Sequence, residues 1–175
     1  MKIAYTMTQG RGELDKVLAE FATALAQKGV RTCGIVQINT EREDCGHRCD
    51  MDVQILPDGP EIRISQFLGT QSKGCRLDPG ALEQAVAATA AQMAKGFDVF
   101  ILNKFGKQEA DGRGFRHLIG EALAQGGAVI AGTNGINRAA FEVFSGGSAE
   151  FVEPDLTSLL AWYETQPSEQ DQVTA

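Results

Sequence analysis

The chain has 175 residues, 43% of them hydrophobic and 22% charged, which is enough apolar material for the core of one globular domain. Its formal net charge of −7 at pH 7 comes without a basic patch, so nucleic acid is excluded as a general partner. No stretch approaches the roughly 20 apolar residues of a membrane helix, and Met1-Lys2 runs into strand-like sequence instead of a signal peptide. No membrane insertion is therefore expected, and the cytoplasm is the expected location. Four cysteines are too few for a disulfide scaffold and are expected to be reduced.

Residues 2–7 read as a strand, broken by Thr8-Gln9-Gly10-Arg11-Gly12. Leu14, Val17, Leu18, Phe21 and Leu25 then recur at helical spacing up to Lys28-Gly29, which supplies a stop. A second strand over 31–39 carries Cys33, Ile35, Val36 and Ile38, and its connection through a helix predicts a right-handed βαβ unit. Polar residues 40–50 lead into alternating runs at 51–56 and 61–65, separated by Pro57-Asp58-Gly59-Pro60, which predicts an inserted β-hairpin at about 51–65. Asp78-Pro79 places an N-cap before a proline at the first helical position. The helix it opens carries Leu82, Ala85, Val86 and Met93 and stops at Gly96.

The continuous apolar run 97–102 predicts a central strand covered on both faces. A charged, glycine-rich loop follows, then a helix with Phe115, Leu118, Ile119, Ala122 and Leu123, then a strand over 128–132. Short helices near 137–144 and 156–163 complete the expected domain, 1–164, before a polar tail over 165–175. The fold class expected is α/β, a mainly parallel sheet flanked by helices.

In such a sheet, ligands bind beyond the carboxyl ends of the strands, where loop amides and helix N-termini converge. Three loops qualify: 8–12, 103–113 and 133–138. The first sits where a phosphate-binding loop would sit, with Thr8 at its start, Gly10 and Gly12 freeing the backbone, and Arg11 as a cation. It is not a Walker A motif, because Glu13-Leu14 stands where a lysine and a hydroxyl are required. The other reading is a glycine turn without a ligand. The second loop gathers Asn103, Lys104, Lys107, Glu109, Asp111, Arg113 and Arg116 around Gly106, Gly112 and Gly114. Glycines so close together suggest a backbone bent around something, the alternative being a solvated loop whose charges pair locally. Cys45, His47 and Cys49, with Cys75 downstream, could hold a soft metal, although the spacing matches no standard zinc knuckle. Reduced thiols beside an exposed histidine are the plainer reading. His117 is expected to cover a helix.

The strings Asn103-Lys104-Phe105-Gly106-Lys107-Gln108-Glu109 with Gly112-Arg113-Gly114, Ile64-Ser65-Gln66 with Gly69, and Gly74-Cys75-Arg76-Leu77-Asp78-Pro79 together resemble a bacterial family known as a domain of unknown function, over residues 1 to about 164. Members are often encoded beside molybdate-transport genes, so the resemblance implies a link to molybdenum without assigning chemistry. More remotely, the layout is similar to the small nucleoside-triphosphatases of thermophiles, a P-loop fold, in which the central strand ends in an acidic pair followed by Ile-Gly-Lys-Met-Glu. Gly106, Lys107 and Glu109 match that segment, while Asn103 and Lys104 replace the acidic pair.

The resemblance therefore implies a P-loop scaffold without the Walker carboxylates or lysine. The expectation is a non-hydrolysing binding or regulatory protein for a small anion, a nucleotide phosphate or an oxyanion such as molybdate. Thr8, Gly10, Arg11, Gly12, Asn103, Lys104, Lys107 and Arg113 are the candidate binding residues. Two rivals stand beside it: a nucleoside-triphosphatase in which Glu109 orients water, and a metal-binding protein using Cys45, His47, Cys49 and Cys75. Assembly into a homo-oligomer stays open.

Overall fold

The computed structural model describes residues 2–10, 12–40, 50–66 and 77–165. Its frame is one seven-stranded sheet: β1 (Ile3–Thr6), β2 (Thr32–Thr40), β3 (Asp50–Leu56), β4 (Glu61–Arg63), β5 (Val99–Asn103), β6 (Ala128–Gly132) and β7 (Glu150–Phe151), in the order β4-β3-β2-β5-β6-β1-β7. All pairings from β2 to β7 are parallel, and β3 and β4 add an antiparallel edge. The hairpin read from the sequence exists, but β3 pairs with β2 along its whole length, so it extends the main sheet instead of standing apart. The helix-connected pair β1 and β2 are not neighbours, because β5 and β6 lie between them.

The helices are α1 (Glu13–Gln27), α2 (Pro79–Met93), α3 (Lys107–Ala110), α4 (Arg116–Ala124), α5 (Arg138–Phe144) and α6 (Leu156–Glu164). Asp78 caps α2 as its sequence requires, accepting hydrogen bonds from the Gly80 and Ala81 amides at 2.9 and 3.2 Å. Alternate strand residues serve opposite layers. Ala4, Val99, Ile101 and Ile130 pack against Leu14, Leu18, Phe21 and Leu25 of α1 and Trp162 of α6. Tyr5, Phe100, Leu102 and Val129 face the other layer, with Leu82, Ala85 and Val86 of α2, Leu118 and Ile119 of α4, and Phe141 of α5. The run expected to be buried on both faces is β5, fully buried and fourth of the seven strands. Its actual span is shifted toward the loop, with Phe97 outside it and Asn103 inside. Cys33 lies in the core, as its apolar neighbours imply. No described helix is long and apolar enough to cross a membrane.

Candidate functional site

Three strand ends meet on one rung. Thr6 of β1 and Asn103 of β5 are each in register with Gly132 of β6 between them. Two residues earlier on the same strands, Ala4, Ile101 and Ile130 face α1, so by alternation the rung faces the first turn of α1. Gly132 gives that turn its room, since a Cβ there would sit 2.9 Å from Cδ1 of Leu18 and 3.0 Å from Cδ2 of Leu14. The Nδ2 of Asn103 donates to Oδ1 of Asp15 at 2.9 Å, with both residues buried. Oγ1 of Thr6 and Oδ1 of Asn103 are buried without a hydrogen-bond partner among the described residues. Buried polar atoms are normally paired, so the rung keeps an unused donor and two unused acceptors at the edge where the loops converge.

The first loop leaves β1 at Met7 and enters α1 through Gly12, whose φ of 75° is the left-handed conformation that suits glycine. Thr8 Oγ1 donates to the Gly10 carbonyl at 3.2 Å, closing the turn from within. The carboxylate of Glu13 folds back over Gly10: a Cβ on that glycine would lie 2.2 Å from Cδ of Glu13. The position that a Walker lysine would take thus carries a carboxylate, and it lies against the loop backbone. Gly12 offers α1 no side-chain cap hydrogen bond, and the amide end of a helix attracts anions. Arg11 lies outside the described residues.

The second loop is organised around Glu109. This buried carboxylate accepts from the Gly106 amide at 2.9 Å through Oε2 and from the Phe115 amide at 3.1 Å through Oε1. Burial pushes its pKa above the ordinary carboxylate range, against the pull of these amides. Gly114 has φ 57°, and a Cβ there would sit 2.3 Å from Oε1. Gly106 and Gly114 therefore lie against the chain's own carboxylate, which clasps the loop with both oxygens. Lys104, Lys107 and Arg113 are exposed. Arg113 pairs with Asp111 at 3.3 Å, whereas Lys104 and Lys107 make no ion pair among the described residues. Arg116 turns inward, donating to the Glu109 carbonyl at 3.2 Å and stacking 4.6 Å over the Phe144 ring. His117 is exposed on α4.

The third loop folds on Asn134, whose Oδ1 accepts from the Ile136 and Asn137 amides. Together with the first loop, α1 and the end of β7, it walls an open groove of about 1030 Å³. Cys45, His47, Cys49 and Cys75 lie outside the described residues, and no group of three or more metal-capable side chains occurs among the described ones.

Sequence reading located the loops and their charges but missed Thr6 and Asp15. Asp15 left a trace: with Leu18, Ala22 and Leu25 it falls on the buried stripe of α1, and a carboxylate on such a stripe needs a polar partner. The fold of Glu13 over Gly10 leaves no trace in residue spacing.

The fold, an α/β domain on a mainly parallel seven-stranded sheet, is shared with solved structures. A human cancer-related nucleoside triphosphatase superimposes with a TM-score of 0.56, covering 86% of this chain and 87% of its own at 18% identity. THEP1 from the hyperthermophile Aquifex aeolicus superimposes with a TM-score of 0.59, covering 94% and 95% at 17% identity. The chain itself belongs to the family described as Protein of unknown function (DUF2478), which it matches over residues 3–162. It is also 34% identical over 167 residues to the molybdenum import ATP-binding protein ModC 2 of Bradyrhizobium diazoefficiens, a match that takes in 95% of this chain and 18% of that protein.

Proposed function

We propose that this protein is a non-hydrolysing binding protein on a P-loop scaffold, taking a nucleotide or an oxyanion at the carboxyl edge of its sheet and serving molybdate import in a regulatory role. The observation that carries it is Asn103. At the end of the central strand, an amide tied to Asp15 stands where a magnesium-holding carboxylate is needed. The first loop agrees, because Glu13 replaces the lysine that would reach the outer phosphates and its carboxylate turns back over Gly10. An anion would be held by the amides of Gly10, Arg11 and Gly12, the side chains of Thr8 and Asn103, and the cations Arg11, Lys104, Lys107 and Arg113. The exposed ammonium groups of Lys104 and Lys107, which make no ion pair among the described residues, favour this side of the edge. The link to molybdate rests on the resemblance to a segment of the molybdenum import protein.

Glu109 does not favour the rival hydrolytic reading, since both its oxygens already accept backbone amides. Purified protein with magnesium and ATP or GTP is expected to release no phosphate above a buffer blank. Turnover that disappears in Glu109→Gln, while that variant keeps its melting temperature, would overturn the proposal and restore the triphosphatase reading.

A further inference from the structure

The groove beside the first loop has a chemistry opposite to that of the lysine side. Its apolar surface includes Ile136, the most exposed large hydrophobic residue among those described at 89%, Phe151 of the edge strand β7, 44% exposed, and Val17 of α1. Among the described residues its charged lining is Glu13, Glu20 and Glu153 against the cation Lys16. Lys16 reaches Glu20 only at 4.0 Å, with both ends exposed, and neither Glu13 nor Glu153 makes an ion pair among the described residues. Exposed apolar side chains gathered in one concavity mark a contact surface, and the surplus of carboxylates selects the sign of what fits it.

We propose that this groove is a docking site for a basic, apolar peptide segment of a partner protein. Its hydrophobic side chains would cover Ile136 and Phe151, and its lysines or arginines would meet Glu13, Glu20 and Glu153. Charge complementarity selects this occupant, since the described lining carries three glutamates and one lysine. The volume of about 1030 Å³ is at the upper end of small-ligand pockets and accommodates a few consecutive side chains. The groove shares the first loop, including Thr8, with the anion site proposed above, and differs from it in that Lys104 and Lys107, which follow β5, do not line it.

The test is fluorescence anisotropy with a labelled ten-residue peptide alternating lysine with leucine and phenylalanine, with hydrogen-exchange mapping of the intact protein. The expected result is saturable binding, weakened by salt, with protection confined to the first loop, residues 134–136 and β7. Ile136→Ser leaves the net charge unchanged and, at so exposed a position, should leave the fold unchanged. It is expected to weaken binding at least about tenfold, as is the charge reversal Glu153→Lys. Binding unaffected by Ile136→Ser would show mere attraction to an acidic protein and overturn the proposal. Displacement of the peptide by adenosine would assign the groove to a nucleoside, and a concentration-dependent dimer abolished by Ile136→Ser would assign it to a second copy. Either outcome also overturns it.

Discussion

Glu109 shows how one side chain can have the look of a catalyst and the surroundings of a clasp. Removing it in Glu109→Ala leaves the Gly106 and Phe115 amides without acceptors, a loss of about 1 to 3 kcal/mol for each buried donor left unpaired. The cost depends on pH with a definite sign. Burial raises the folded-state pKa, so protonation favours the folded state, and this contribution is complete below the ordinary carboxylate range and lost as pH rises through the folded value. Denaturant titrations across the acid-to-neutral range are therefore expected to find the variant's deficit largest at acid pH and shrinking toward neutrality. A deficit that grows with pH would contradict the buried-carboxyl account.

Cys33 illustrates the reverse, a reactive residue type in an inert place. It is buried, and that burial lifts its thiol to about 11, so at pH 7 the thiolate is about one part in ten thousand. Alkylation at Cys33, followed by peptide mass spectrometry to separate it from the other cysteines, is expected to be at least about a hundredfold slower in the folded protein than in guanidinium chloride.

At the scale of elements, the junction of β2 with β5 depends on a missing side chain. Gly34 takes φ 107°, and a Cβ there would lie 1.9 Å from the carbonyl oxygen of Ile101 on the neighbouring strand. The obstacle is the backbone of the central strand, which cannot swing aside as a side-chain tip can. Gly34→Ala should therefore cost about 4 kcal/mol or more, or prevent soluble expression altogether. Thermal unfolding checks this, and a shift of only a degree or two would show that the strands can separate locally. Gly12 has a left-handed φ of 75°, but a Cβ there would meet nothing within 4 Å, so it presents backbone strain alone. The two glycines thus differ in kind.

Among the described residues charge divides along one sheet edge, with carboxylates lining the groove by β1 and β7 and the exposed Lys104 and Lys107 beyond β5. Sulfate, phosphate or molybdate is expected to raise the melting temperature through the lysine side, by mass action once the anion exceeds its dissociation constant. Lys104→Ala should reduce that rise. Glu13→Gln, which removes the carboxylate lying over Gly10, should enlarge it. A flat response to all three anions in the unaltered protein would remove the anion site from the proposed function.

What the sequence determined by itself was set by local chemistry. Periodicity and caps gave the main helices and strands, because burial on one face imposes its period on the residues and Asp78-Pro79 can open a helix on its own. Tertiary structure alone decided the strand order that separates β1 from β2, and it drew the two-residue β7 into the sheet by pairing with β1, too short a segment to show a period. It also decided what the polar residues do. Asp15 meets Asn103 across 88 positions of sequence, and Gly106 and Gly114 of the second loop close on Glu109. Such pairings depend on which strand ends share a rung, and residue spacing carries no record of that.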